Sequence, residues 1–178
     1  PDALKTEKPE LADDEWIIVR EKINEAIEQL DGYRSDEGKS LEADLIRCIG
    51  KILGFLQEVE QFEGERIKKV REKLNSSLIE NVGKENVDMN RFEQEIIFYI
   101  EKLDINEEKV RLKKHCEYFL EKAASLPPNG KILNFIAQEI GREINTIGSK
   151  ANDAAIQKLV VSMKDELEKI KEQTLNAL

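Results

Sequence analysis

Two stretches of the sequence place acidic, basic and phosphate-binding side chains at helical spacing. In the first, Glu108, Arg111 and the only histidine, His115, follow at steps of three and four residues, so they share one helix face. A carboxylate can hold a hard divalent cation, a guanidinium binds phosphate through its planar fork, and an imidazole moves protons near pH 7. This face is a candidate for phosphate chemistry; the alternative is a solvated Glu–Arg pair beside a histidine at the core edge.

The second stretch is QEIGREINTIGSK, residues 138–150, which is more polar than a packing helix needs to be. Two polar stripes lie beside its isoleucines: Glu139, Arg142, Glu143 and Thr146 form one, and Gln138, Arg142, Asn145 and Ser149 form the other. Asparagine, threonine and serine are mediocre helix formers, so placing all three here costs helix stability. We interpret this stretch either as a functional surface or as a network of hydrogen bonds between helices.

Two further segments are rich in lysine and arginine. They are ERIKKVREKL at residues 65–74 and KVRLKK at residues 109–114. Either could follow a phosphate backbone, although a basic stripe on a long helix is more often only a solvated face. Few aromatic residues accompany them, so the sequence gives no support for base stacking.

The elements that must carry these side chains are helices. Charged residues make up 37% of the chain, which has only four prolines and nine glycines, a composition typical of long helices. No segment shows the alternation of a strand. We therefore predict an all-α fold, an elongated helical bundle with a long coiled-coil-like helix.

Apolar periodicity predicts where the helices lie. A first helix runs from about Asp14 to Leu30 and is broken by DGYRSDEG, residues 31–38. A longer helix follows and ends at NVGKENVD, and its apolar residues alternate in steps of four and three like a coiled-coil seam: Leu41, Leu45, Cys48, Ile52, Phe55, Val59 and Phe62.

The remaining helices are predicted at about 90–103, 106–124 and 131–147, with SLPPNG separating the last two. A final helix begins in SKANDAAI, where Asn152 or Asp153 can cap it. We divide the chain into a linker or tail at 1–13, a helical region with the long helix at 14–126, and a C-terminal helical pair at 127–178. Together they form one helical module.

Bulk properties exclude several classes of protein. The net charge of −9, with all of the acidic excess before Pro127, argues against indiscriminate nucleic-acid binding through bulk charge. Cys48 and Cys116 lie far apart without metal-ligand spacing, so we expect reduced, buried thiols and no zinc site. No apolar run reaches the ~20 residues of a membrane span, and no phosphate-binding glycine loop, GxSxG or HExxH motif is present. We expect a cytoplasmic protein without membrane contact.

Several segments together resemble the C-terminal half of the YicC family of bacterial, stress-linked endoribonucleases. They are NRFEQEI at 90–96, DINEEKVRLKKH at 104–115, GKILNFIAQEIGREINTIGSK at 130–150 and LVVSMKDELEKIKEQTLN at 159–176, with SDEGKSLEADL at 35–45 as a weaker match. The most specific part is the polar pattern QE..RE.NT..SK. The N-terminal half of the family has no counterpart here, and the chain is expected to begin at the junction after it.

The resemblance implies a metal-dependent cleavage of RNA by a ring-like homo-oligomer, a hexamer in the family. It implies Glu108, His115, Glu139 and Glu143 as catalytic groups, and Glu95, Glu108, Glu139 and Glu143 as ligands of Mg²⁺ or Mn²⁺. It implies Arg111, Arg142, Asn145, Thr146, Ser149 and Lys150 as residues that bind RNA or its phosphates. The rival hypothesis is a non-catalytic helical module for oligomerisation or interaction, built on the seam from Leu41 to Phe62.

Overall fold

The computed structural model describes residues 12–83, 88–125 and 130–176, and every regular element in these ranges is an α-helix. The elements are α1 (Asp13–Val82), α2 (Met89–Leu103), α3 (Asn106–Ala123), α4 (Gly130–Ala151) and α5 (Ala154–Asn176). The predicted all-α class is confirmed. The predicted bounds of α2 and α3 hold to within a residue, whereas α4 continues past the predicted end at 147.

Helix α1 is continuous where a break was expected. DGYRSDEG, residues 31–38, lies inside its 70 residues, so the predicted interruption is wrong. Glycine disfavours a helix by only about 1 kcal/mol, whereas the proline that would stop it is absent from residues 13–82. Three acidic residues in the first turn, Asp13, Asp14 and Glu15, complement the positive end of the helix dipole and favour the observed start.

The apolar stripe of α1 is wider than a coiled-coil seam. Of the predicted seam, Leu45, Cys48, Ile52 and Val59 are buried, whereas the other three members are half-buried. Two residues outside the seam, Ile49 and Leu56, are buried as well. A stripe that includes these extra positions is typical of a helix packed inside a globular bundle.

Helices α3, α4 and α5 pack in sequence, α3 against α4 and α4 against α5, with a smaller contact between α2 and α4. Two capping aspartates begin helices: the Asp88 side chain accepts from the first turn of α2, and that of Asp153 accepts from Ala155 and Ile156. The alternative cap, Asn152, has a φ of 45° instead. Asparagine tolerates this left-handed conformation, so two residues suffice to connect α4 to α5.

Helices α4 and α5 approach closely at two glycines. A Cβ atom on Gly148 would lie 3.0 Å from Val160 Cγ1, and one on Gly141 would lie 3.1 Å from Leu167 Cδ2. Both distances are shorter than ordinary van der Waals contact, so the α4–α5 interface requires small residues at these two positions.

The chain divides into two compact units, residues 1–41 and 42–178. The division of the sequence into 14–126 and 127–178 stays a prediction. Residues 1–11 of the expected tail, 84–87 of NVGKENVD and 126–129 of SLPPNG lie outside the described residues. Within the described residues, no helix is both long enough and apolar enough to span a membrane.

Candidate functional site

The two polar stretches lie on neighbouring, antiparallel helices. The Lys150 ammonium near the end of α4 donates to Glu108 Oε1 near the start of α3 at 2.7 Å, and this ion pair fixes the register. Counted seven residues from each anchor at 1.5 Å per residue, helical rise places His115 on α3 and Glu143 on α4 at a similar level, about 10.5 Å along the helix axes. The tertiary structure thus brings the two sequence motifs side by side.

Glu143 is a buried carboxylate without a partner. It is only 8% exposed and makes no hydrogen bond or ion pair with any described residue. Among the described residues, a fully buried side-chain oxygen without a partner occurs only in Glu108 and Glu166. The oxygens of Glu143 also lack a partner, so they must keep some contact with solvent. An unpaired, largely buried carboxylate lowers stability. The presence of such a group therefore points to a function rather than to packing.

His115 lies on α3 at a similar level by this count. It is half-buried, and it likewise makes no hydrogen bond or ion pair within the described ranges. A carboxylate and an imidazole, neither occupied by another protein group, are the parts that general acid–base chemistry needs. These two side chains form the centre of the candidate site.

The other polar residues of α4 bond mainly to their own helix. The Thr146 hydroxyl donates to the Arg142 carbonyl and the Ser149 hydroxyl to the Thr146 carbonyl, each at 3.0 Å. Arg142 reaches Glu139 at 3.1 Å and is otherwise exposed, as is Asn145. The alternative of an interhelical network is therefore wrong for the two hydroxyls. They satisfy backbone carbonyls of α4 and leave the guanidinium of Arg142 on the surface.

The remaining predicted residues of α3 and α2 have different surroundings. Glu108 is buried, with Oε1 bound by Lys150 and Oε2 unpartnered, whereas Arg111 is exposed and pairs with Glu107. Glu95 is exposed on α2. Since Glu108 and Lys150 are bound to each other, Glu143 and His115 are the more available reactive groups.

Within the described chain, no three Asp, Glu, His or Cys side chains lie close enough together to hold a metal ion. The expected ligands Glu95, Glu108, Glu139 and Glu143 therefore do not form a complete cation site in a single copy. Their role as metal ligands stays a prediction.

Arg66 lies in a segment that the sequence suggests is a basic surface, but the structure buries it. It belongs to the basic segment 65–74 but is only 4% exposed. Its Nη1 donates to the carbonyl of Ala151, the last residue of α4, at 3.1 Å, and its Nη2 donates to that of Leu103, the last residue of α2, at 2.9 Å. It joins two helix ends and does not face solvent. Nothing in the sequence distinguishes it from the exposed Lys68 and Lys69 beside it.

A second buried cluster was also missed by sequence reasoning. Glu166 of α5 accepts from Lys169 at 2.7 Å and from Lys51 of α1 at 3.0 Å. The bond from Lys169, with that from Lys51, lowers the pKa of Glu166 to about 2. Burial raises the pKa of the neighbouring Cys48 thiol, and Glu166 adds to that shift. The i, i+3 spacing of Glu166 and Lys169 is visible in the sequence, but the contact with α1 is not.

Both cysteines are free and buried, as expected. Burial raises the pKa of Cys116 to about 12, which keeps its thiol protonated and unreactive. Neither cysteine therefore adds a nucleophile to the candidate site.

Comparison with known proteins identifies a matching family model and two relatives of this chain. Residues 59–177 match the family model described as "Endoribonuclease YicC-like, C-terminal". The chain is 36% identical over 178 residues to "Probable endoribonuclease YicC" of Clostridioides difficile, which covers 99% of this chain and 61% of that protein. It is also 36% identical over 94 residues to the "Probable endoribonuclease YicC" of Haemophilus influenzae, covering 51% of this chain and 32% of that protein.

Proposed function

The chain belongs to the YicC family, and we propose that it is the helical C-terminal part of an enzyme that cleaves RNA phosphodiester bonds at the α3–α4 hairpin. The observation that carries the proposal is the buried carboxylate of Glu143 on α4, which has no partner among the described residues. Helical rise counted from the Glu108–Lys150 ion pair places His115, on the adjacent α3, at a similar level. Since the chain spans 61% of the length of the first relative, the activity of the whole protein is part of this proposal.

Each side chain has a role in this mechanism. Glu143 accepts the proton of the attacking hydroxyl, whose oxygen forms a new bond to phosphorus. His115, protonated, donates a proton to the 5′-oxygen as its bond to phosphorus breaks. The guanidiniums of Arg142 and Arg111 exchange their carboxylate partners for the phosphate and offset the charge that develops on its oxygens.

The supporting residues position the strand. In this proposal the phosphates follow α4 from Glu143 past Asn145, Thr146 and Ser149, and Lys150 lies at the end of that path. Lys150 then serves two anions, because its ammonium also neutralises Glu108 at 2.7 Å. Glu139 holds Arg142 until the phosphate replaces it.

The test is a pair of substitutions in the complete protein that carries this chain. Glu143→Gln and His115→Ala should each lower kcat by about 10²- to 10⁴-fold, the usual contribution of one proton-transfer group. Glu172→Gln is the matched control, because Glu172 is an exposed carboxylate on α5. Glu143→Gln should also leave the free energy of unfolding unchanged or raise it, since it removes an unpaired buried charge. Full cleavage by both variants would overturn the proposed site.

The chemical ends of the cleavage product identify the nucleophile. Attack by the RNA's own 2′-hydroxyl leaves a cyclic phosphate, whereas attack by water leaves a phosphate monoester. Analysis of the cleavage ends distinguishes these routes, and both use Glu143 and His115 as described.

A divalent cation is a separate part of the proposal. The described residues of a single chain do not bring three such ligands together. Mg²⁺ or Mn²⁺ would therefore take its remaining ligands from RNA phosphate, water or a second copy of the chain. Loss of cleavage in excess EDTA, and its return with added metal, would support this part, and unchanged cleavage in EDTA would reject it.

A non-catalytic interaction role is the second candidate, and one observation favours it. In residues 12–41 the apolar side chains Trp16, Ile23, Ile27 and Leu30 are all exposed. The seam from Leu41 to Phe62, in contrast, is largely covered within one chain and is not free to build an oligomer. Homo-oligomerisation is therefore proposed through other surfaces. A protein that binds RNA but never cleaves it, with or without metal, would favour this role.

A further inference from the structure

Four side chains of α3 form a row that passes through the candidate site. Arg111, His115, Tyr118 and Lys122 follow at steps of four, three and four residues, so they lie on one face of the helix. We call this row the Tyr118 stripe. It spans 12 residues, or 11 steps of 1.5 Å, and therefore about 16.5 Å of helix axis. At 3.4 Å per stacked nucleotide, this is the length of about five nucleotides.

Tyr118 presents its ring to solvent beside a cation. The residue is 43% exposed, and Lys122 Nζ lies 5.2 Å from the centroid of the ring, a cation–π distance. Lys122 also donates to Glu121, and this bond raises the pKa of the lysine, which keeps it positively charged. The ring is therefore held on one side and is open to a planar ligand.

The position of Tyr118 relative to His115 suggests what that ligand is. The two residues are three apart on α3, about 4.5 Å along the axis, which is close to the separation of neighbouring nucleotides. A phosphate at His115 therefore places an adjacent base at the level of the ring. A base can stack on a tyrosine only when it is unpaired, because the bases of a duplex stack on each other.

We infer that Tyr118 stacks on an unpaired base next to the scissile phosphate and so restricts the substrate to single-stranded RNA. Arg111 and Lys122 contact the phosphates on the two sides of this base, and Glu107, the partner of Arg111, is released when RNA binds. This inference depends on the proposed function, since it places the scissile phosphate at His115. It assigns Tyr118 to specificity and not to catalysis.

The test measures RNA binding by Tyr118→Ala and Tyr118→Phe. The probes are a fluorescein-labelled single-stranded RNA oligonucleotide and the same strand annealed into a duplex, followed by anisotropy. Tyr118→Ala should raise Kd for the single strand about tenfold, within the usual effect of losing one stacked base, and leave Kd for the duplex unchanged. Tyr118→Phe keeps the ring and should bind like the parent protein.

The matched control is Tyr99→Ala, because Tyr99 on α2 is also 43% exposed and stacks edge-on against Phe98, outside the Tyr118 stripe. It should leave both binding constants unchanged. In cleavage assays of the complete protein, Tyr118→Ala should raise KM about tenfold and leave kcat within about threefold, which a catalytic role would not do.

Three results would overturn the inference. They are an unchanged Kd for the single strand, an equal loss for single strand and duplex, or a Tyr118→Phe variant as weak as Tyr118→Ala. Cleavage that is lost in Glu143→Gln while Tyr118→Ala binds normally rejects this inference alone. Normal cleavage by Glu143→Gln and His115→Ala, with weak single-strand binding by Tyr118→Ala, rejects the catalytic site and the position of the scissile phosphate, and leaves Tyr118 only as a residue that stacks on single-stranded RNA.

Discussion

Replacing Arg66 by alanine should destabilise the protein strongly, although the sequence places it in a basic surface segment. Its guanidinium donates to the terminal carbonyls of α2 and α4, and no carboxylate in the described chain pairs with it. The last four carbonyls of a helix have no partner within the helix and carry the negative end of its dipole. Arg66 therefore balances its own buried charge with two helix ends.

The magnitude follows from these two bonds. Each hydrogen bond to a charged group contributes about 1.5–3 kcal/mol, so the pair contributes about 3–6 kcal/mol. An open groove of about 330 Å³ is lined in part by Arg66, and the bond from Arg66 to the Leu103 carbonyl is only partly buried, so water can replace part of what the substitution removes. We therefore expect Arg66→Ala to lower the free energy of unfolding by about 3 kcal/mol, the lower end of that range.

Chemical denaturation followed by circular dichroism measures this loss. Arg66→Lys should recover about half of it, because an ammonium keeps the charge but cannot span two carbonyls with a fixed fork. Lys69→Ala is the matched control; Lys69 is exposed and pairs only with Glu65 on the same helix, so its removal should cost under about 0.5 kcal/mol. If Arg66→Ala matches Lys69→Ala, the argument for a buried clamp is wrong.

Two further predictions concern α4 and α5. Gly148→Ala should destabilise the protein by about 1–3 kcal/mol, because the added Cβ would lie 3.0 Å from Val160 Cγ1. Gly50→Ala is the control on α1; its Cβ would lie in open space, so it should stabilise the protein by about 1 kcal/mol. Thermal unfolding measures both changes, and shifts of equal sign would contradict the packing argument. The pKa of Glu166 is lowered from 4.5 to about 2, chiefly by Lys169, so its stabilising contribution is full above about pH 4.5 and is lost as the pH falls towards 2. Denaturation of Glu166→Gln at stepped pH should show its stability deficit shrinking over that interval, and a constant deficit would reject this cause.

The helices themselves were largely predictable, and the exceptions have physical reasons. The bounds of α2 and α3 follow from local signals such as the Asp88 cap and the periodic apolar residues. The expected break at residues 31–38 failed because glycine and aspartate only weaken a helix, whereas proline stops one. Local propensity therefore predicts helical regions better than it predicts interruptions.

The sequence predicted the residues of the candidate site but not which of its charged side chains form ion pairs with each other. Spacing put His115 and Glu143 on polar faces, yet it also nominated Glu108 and Lys150, which are bound to each other. Whether a charged side chain is paired depends on contacts between residues far apart in the sequence; Glu108 and Lys150, for example, are 42 positions apart. Local sequence cannot fix which charges neutralise one another across helices.

The sequence by itself determined the all-α class, most of the apolar faces, two candidate residues for the last helix cap, and the family. These depend on neighbouring residues, because helical periodicity and capping act over one or two turns. Only the tertiary structure decided that Arg66 is a buried clamp, that Glu143 lacks a partner among the described residues and that α3, which carries His115, packs against α4. Burial and ion pairing are properties of the assembled helices, since the same lysine, arginine or glutamate is stable in solvent or in the core according to what faces it.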